Sequence, residues 1–134
     1  MIEDRVKSRP KISAINYATI SSKEEFFQNQ TLRPIIKMQH SLLIAHFKQY
    51  MLSKKCVFDK LPDEKELNFI RNSLRNDLKF RNSMIGLIIG HFTLDEYQQY
   101  TTMSSEMNKR IINIISERLG NSIDELLVKL NPKL

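Results

Sequence analysis

Three polar residues fall on helix faces that are otherwise apolar, and they are the strongest candidates for a binding site. Gln39 and His46 lie two turns apart near the middle of one predicted apolar face, and Arg81 lies inside the apolar stripe of the next predicted helix. In one interpretation Gln39 and His46 satisfy each other or nearby backbone groups, while Arg81 pairs with Asp77. In the other, the three residues line a pocket in which Arg81 binds a carboxylate or phosphate, as a binding protein or an enzyme would use it.

The other reactive side chains do not form a catalytic or metal-binding pattern. His40, His46 and His91 have no metal-ligand spacing among themselves. Cys56 is the single cysteine and has no identifiable His or Asp partner, so we interpret it as an ordinary thiol. Paired carboxylates fall in the first turns of predicted helices, where the helix dipole explains them. The sequence therefore predicts no metal, no cofactor and no catalytic residue.

Two glycines, Gly86 and Gly90, lie in the most apolar run of the chain, RNSMIGLIIGHF. A phosphate-binding loop would need a preceding strand and a following Lys-Ser or Lys-Thr, which are missing. A membrane span would need about 20 apolar residues, and this run is shorter. We therefore interpret the run as a buried helix segment in which the two glycines, one turn apart, allow a second helix to pack closely.

The composition predicts an all-α protein. The 134 residues contain only three glycines and four prolines, and 41% of the chain is hydrophobic. The chain is long enough for one domain with its own core. A single cysteine and an N-terminus without the apolar core of a signal peptide predict a cytoplasmic location.

The formal net charge of +6 is placed entirely in the first 55 residues. On the predicted helix from Leu32 to about Ser53, Lys37 and Lys48 align with Lys55 on the outer face. Such a basic face aids solubility, and it is also the basis for an alternative function in nucleic-acid binding. No helix-turn-helix or interleaved aromatic pattern supports that alternative.

The helices are predicted from apolar spacing and from capping signals. Residues 1–20 are predicted to form an extended basic arm, and residues 21–134 a single helical domain of about four or five helices. The predicted starts are Ser22, Thr31, Asp63, Thr93 and Ser122. The stripe from Leu67 to Phe92 favours one continuous helix from Glu64 to Phe92, and the alternative is a break near Asn82 and Ser83. From Leu94 to Gly120 we expect a single long helix that is weakest at Thr101–Ser105.

Two segments, FQNQTLRPIIKMQHSLL (Phe27 to Leu43) and FRNSMIGLIIGHFTLDEY (Phe80 to Tyr97), resemble a family of short, uncharacterised bacterial helical proteins. Some members of that family carry the name glyoxalase. The common metal-dependent glyoxalases use His and Glu ligands on strands, and no strand series is visible in this sequence. The resemblance implies a helical fold, and it brings no catalytic residues with it.

Together these observations predict a helical bundle that acts as a binding or interaction module. The predicted helices carry more apolar residues than one small core needs. Those outside the main stripes are Ile44, Met51, Leu52, Met84 and Leu87. We therefore expect the chain to form a homo-oligomer. The alternatives to self-association are a protein partner and a small anionic ligand, and no membrane association is expected.

Overall fold

The computed structural model describes residues 6, 8–10, 22–55 and 63–127, and these residues form helices with no strand among them. The predicted all-α class is confirmed. The elements are α1 (Lys23–Phe27), a π-helical segment (Gln28–Leu32), α2 (Arg33–Met38), α3 (His40–Ser53), α4 (Asp63–Asn76), α5 (Leu78–Ile89), α6 (Leu94–Thr101), α7 (Ser104–Gly120) and α8 (Ile123–Leu127). Most of the predicted arm and the stretch from Cys56 to Pro62 lie outside the described residues. At Arg9 the chain makes a turn, with Arg9 N donating to Val6 O at 3.2 Å.

The first helix begins at Ser22, as predicted, because the Ser22 hydroxyl accepts a hydrogen bond from Glu25 N. The predicted new start at Thr31 is wrong. Helical conformation continues through the π-helical segment into α2, and Thr31 is buried inside it. Its hydroxyl donates to the Glu96 carboxylate at 3.1 Å, so it does not cap a helix.

The predicted single helix from Leu32 to Ser53 is bent at Gln39, which separates α2 from α3. Gln39 has φ −90° and ψ 10°, away from the α-helical values. Backbone hydrogen bonds still run from Gln39 N to Ile35 O and from Leu43 N to Gln39 O, each at 2.9 Å. The two helices therefore meet at a bend without an intervening loop.

The prediction of one continuous helix from Glu64 to Phe92 is wrong, because the chain breaks at Asp77. Asp77 has ψ 93°, and its carboxylate caps α5 by accepting from Phe80 N at 3.2 Å. The apolar stripe continues across the break, so spacing alone could not show it. Asp77 is the kind of short acidic residue that starts a helix, and here its capping preference decides the local structure.

The predicted long helix from Leu94 to Gly120 is also two helices. It begins at Thr93 with a complete capping box, in which Thr93 Oγ1 accepts from Glu96 N and the Glu96 carboxylate accepts from Thr93 N. The break falls at Thr102 and Met103, inside the stretch of weak helix propensity, and Met103 has φ −146°.

The core contains side chains from every described helix. Its fully buried members include Leu32, Ile35, Leu43, Phe47, Leu74, Met84, Ile88, Met107, Ile111 and Ile115. Of the five apolar residues that suggested an oligomer, Ile44, Met51 and Met84 are buried in this core, Leu87 is partly buried against it, and Leu52 is 59% exposed. Most of the apparent excess therefore belongs to one chain's own interior.

The predicted close helix packing at Gly86 and Gly90 is not found among the described residues. Gly86 is exposed, and a Cβ atom added to it would have no atom within 4 Å. Gly90 lies at the C-terminal end of α5, where an added Cβ would be 3.3 Å from Gly86 O. No helix in the described part of the chain uses this face for a close approach.

Candidate ligand-binding groove

A groove of about 400 Å³ lies between α3 and α5. From α3 and the residues after it come His46, Gln49, Tyr50, Ser53 and Lys54; from Asp77 and α5 come Asp77, Lys79, Phe80 and Ser83. Because α5 starts anew at Asp77, its first turn contributes polar side chains at the point where α3 ends. The groove is thus positioned by the break that the apolar pattern did not predict.

Stacked aromatic rings form one wall of the groove. The rings of Tyr50 and Phe80 lie 3.9 Å apart between centroids and are nearly parallel, at 18°. Phe47 lies behind them, 5.8 Å from the Phe80 ring. Since Phe47 is fully buried and Phe80 is 6% exposed, this wall is anchored in the core. It offers a rigid apolar surface of the kind that binds the body of a small ligand.

His46 and Ser83 form a hydrogen-bonded pair across the groove, with His46 Nε2 and Ser83 Oγ 2.8 Å apart. The Ser83 hydroxyl donates to Phe80 O at 2.7 Å, so the proton between the pair comes from His46 Nε2. This arrangement leaves His46 Nδ1 as an acceptor. Burial lowers the pKa of His46, which keeps the imidazole neutral at neutral pH.

The charged groups of the groove are Asp77, Lys54 and Lys79. The pKa of Asp77 is lowered first by the hydrogen bond from Phe80 N and then by the Tyr50 hydroxyl, which donates to Asp77 Oδ2 at 3.0 Å. Lys54 Nζ lies 3.6 Å from the same oxygen. Lys79 has no hydrogen bond or ion pair with any described residue. With His46 neutral, the groove has one more positive than negative charge.

The structure places the three predicted site residues in different surroundings. Only His46 lines the groove. Arg81 does not pair with Asp77, so that interpretation is wrong. The Asp77 carboxylate instead accepts hydrogen bonds from the Tyr50 hydroxyl and from Phe80 N, and it forms an ion pair with Lys54. The Arg81 Nε atom is buried without a hydrogen-bond partner among the described residues.

Gln39 and His46 do not contact each other, since each has its own partner. The Gln39 amide donates to His91 Nε2, and His46 instead lies against the Phe80 ring at 5.3 Å. His91 is also connected to the N-terminal segment, because Arg9 Nη2 donates to His91 O. Gln39 therefore belongs to a structural network around His91, away from the groove.

The predicted basic face is not the face of a single helix. Lys37 is exposed on α2, and Lys48 is half-buried on α3 beyond the bend at Gln39. Lys55 follows the end of α3 and has a positive φ of 53°. The three lysines thus do not lie on one uninterrupted helix. Among the described residues, no group of three His, Cys, Asp or Glu side chains could hold a metal ion.

Of the nine residues that line the groove, only His46 was predicted from the sequence as a site residue, and those missed include Tyr50, Lys54, Lys79 and Ser83. A usable signal was present: Ser83 lies three residues after Phe80 and so shares its helix face. The opposing face of α3 could not be matched to it, because the break at Asp77 sets the direction of α5.

None of the helices in the described part of the chain has the length and hydropathy needed to span a membrane.

Comparisons with known proteins find no match. No family model fits the sequence, and neither the curated proteins nor the solved structures include a match. The resemblance to the bacterial helical family therefore stays a prediction.

Proposed function

We propose that this protein is a binding protein that takes a small anionic ligand with an apolar body in the groove between α3 and α5. The observation that carries the proposal is the placement of Lys79 and the His46–Ser83 pair beside the stacked Tyr50 and Phe80 rings. The groove's volume of about 400 Å³ is in the range typical of small-molecule sites. This proposal refines the sequence-based expectation of a binding module with an anion pocket.

The charges indicate where the anionic group would lie. Asp77 neutralises Lys54 and would repel an anion from that end of the groove. Lys79 has no acceptor among the described residues, and His46, which lines the same groove, becomes a second donor when its Nδ1 is protonated. We therefore place the anionic group at Lys79 and His46, with the apolar body against Tyr50 and Phe80.

The proposal is tested by calorimetric titration with two matched probes. Benzenesulfonate has an aromatic body and a charge that does not change with pH, and benzenesulfonamide is its neutral analogue. We expect benzenesulfonate to bind more tightly, and we expect Lys79→Gln to weaken its binding by about tenfold, since charge-assisted contacts contribute roughly 1.5–3 kcal/mol.

Lys109→Gln is the matched control, because Lys109 is exposed on α7 and does not line the groove. It removes the same formal charge elsewhere. Equal affinity of the two probes, or equal weakening by Lys79→Gln and Lys109→Gln, would contradict the proposal.

A further inference from the structure

A second positively charged surface lies across α2, α4 and α7, away from the groove described above. It consists of two adjoining depressions of about 230 Å³ and 480 Å³ that share Glu117 and Asn121. Arg33 and Arg118 line the smaller depression. Arg71 and Arg75 line the larger one, together with Asn113 and Ser116. We call this set of four arginines the arginine surface.

Two of the four guanidinium groups are held in place by side-chain hydrogen bonds. Arg118 Nη1 donates to His40 Nδ1 at 3.3 Å, and His40 Nε2 in turn donates to Glu125 Oε2 at 2.8 Å. Arg33 Nε donates to Asn29 Oδ1 at 3.2 Å. Each bond uses one of the five N–H groups of its guanidinium. The two arginines are therefore pre-positioned with most of their donors unused among the described residues.

The other two arginines lie one turn apart on the exposed face of α4. Neither Arg71 nor Arg75 has a hydrogen bond or ion pair with any described residue. Glu117 is the one carboxylate among the described residues that line the two depressions. Even if Glu117 compensates one guanidinium and Glu125, reached through His40, offsets part of the charge of Arg118, the surface keeps an excess of positive charge that favours the binding of an anion.

We propose that the arginine surface binds a ligand that has two or more phosphate groups. The planar guanidinium fork matches phosphate oxygens and can bind them with two parallel hydrogen bonds, which a lysine cannot do. The two depressions lie on either side of Glu117, so each pair of arginines can bind its own phosphate while the carboxylate lies between them. Asn113 and Ser116 add neutral donors along the larger depression.

The experiment titrates tripolyphosphate and orthophosphate into the folded protein and into two variants, Arg71→Gln/Arg75→Gln and Arg118→Gln. We expect tripolyphosphate to bind at least tenfold more tightly than orthophosphate, and each variant to lower its affinity about tenfold or more, as expected for charge-assisted hydrogen bonds. Arg71 and Arg75 are exposed, so replacing them leaves the core intact, which far-UV circular dichroism checks.

Two control variants distinguish binding at the arginine surface from a general effect of net charge. Lys109→Gln removes one positive charge outside both depressions, and Lys23→Gln/Lys109→Gln removes two, as many as Arg71→Gln/Arg75→Gln does. Both control variants should keep tripolyphosphate affinity within about twofold. If the control variants lost as much tripolyphosphate affinity as the arginine variants, net charge alone would explain the loss, and the proposal would be overturned. Absence of tripolyphosphate binding would overturn it as well.

A further arm of the experiment identifies the source of the phosphate groups. A short single-stranded RNA oligonucleotide is titrated under the same conditions. Binding that shows the same dependence on Arg71, Arg75 and Arg118 assigns the surface to a phosphodiester chain. Binding of tripolyphosphate alone assigns it to a free polyphosphate such as that of a nucleotide.

Discussion

Arg9 and Glu96, 87 residues apart in the chain, form a two-bond ion pair in which Arg9 Nη1 lies 2.6 Å from Glu96 Oε2 and Nη2 lies 2.8 Å from Oε1. Their side chains are 5% and 15% exposed. The same carboxylate completes the capping box of α6 and accepts from the Thr31 hydroxyl. One side chain thus connects the N-terminal segment, the π-helical segment and α6.

Replacing Glu96 with Gln should lower the free energy of unfolding by about 3 kcal/mol at pH 7, because Arg9 would be left buried without its counter-charge. Burial by itself raises the pKa of Glu96, but the hydrogen bond and charge of Arg9, with the Thr93 and Thr31 donors, outweigh it and lower the pKa below 4.5. The stabilisation is therefore complete above about pH 4.5 and is lost as the pH falls through the lowered pKa. Urea unfolding of both proteins from pH 7 to pH 3 should show their difference shrinking. A difference that is constant with pH would contradict this account.

Asp77→Ala should lower the unfolding free energy by about 1 kcal/mol through loss of the α5 cap. Asp77→Asn should cost less, since an amide oxygen can still accept from Phe80 N. Tyr50→Phe removes only the hydrogen bond from the Tyr50 hydroxyl to Asp77, so its cost can be measured separately. The three variants are compared by urea denaturation at pH 7. Equal losses for the Ala and Asn variants would show that the charge of Asp77, and not its capping, stabilises the break.

Gly86→Ala should raise the unfolding free energy by about 1 kcal/mol, because glycine costs that much in a helix interior and the added methyl group meets open space. If a second helix packed closely at this position, Gly86→Ala would instead lower the free energy of unfolding. Gly90→Ala is the matched comparison: its Cβ would lie 3.3 Å from Gly86 O, so its gain should be smaller. Destabilisation by Gly86→Ala, measured by urea denaturation, would indicate a partner on this face.

Lys55→Gly should stabilise the protein by about 1 kcal/mol. Lys55 ends α3 with φ 53°, a conformation that costs an L-residue roughly 1–2 kcal/mol and glycine very little. Its N–H donates to Leu52 O at 3.1 Å, as expected for a residue that terminates a helix in this way. Lys55→Ala keeps the strain while it removes the charge, and it should give no gain in thermal unfolding. Equal stabilisation by both variants would assign the effect to charge.

Anion binding in the groove should strengthen as the pH falls. Burial lowers the pKa of His46 below its ordinary value of about 6.5, so the ring gains a positive charge only at more acidic pH. A bound anion favours the charged ring, and benzenesulfonate affinity should therefore rise several-fold from pH 7.5 to pH 5.5. His46→Gln should remove this dependence in calorimetric titrations. A pH dependence that persists in His46→Gln would place the titrating group elsewhere.

Much of the fold is predictable because apolar spacing and capping residues act locally. Ser22 and Thr93 start their helices as their side chains predict, and the weak stretch at Thr101–Ser105 is where a helix ends. The break at Asp77 was missed because the apolar stripe runs across it. The groove could not be predicted, since the pairing of His46 with Ser83 depends on how α3 and α5 lie against each other.

The π-helical segment Gln28–Leu32 has a consequence for the register of the chain. A π-turn is equivalent to one extra residue in an α-helix, so the residues before it are rotated by about 100° relative to a regular helix. In this register Phe27 is 3% exposed and lies edge-on to Phe92 at 5.6 Å, while its neighbour Phe26 is 45% exposed. A one-residue deletion in this segment would remove the extra residue, so the segment would become an ordinary α-helix while Phe27 kept its inward position. If the undeleted segment became α-helical instead, α1 would rotate and Gln28 would take the place of Phe27 in the core.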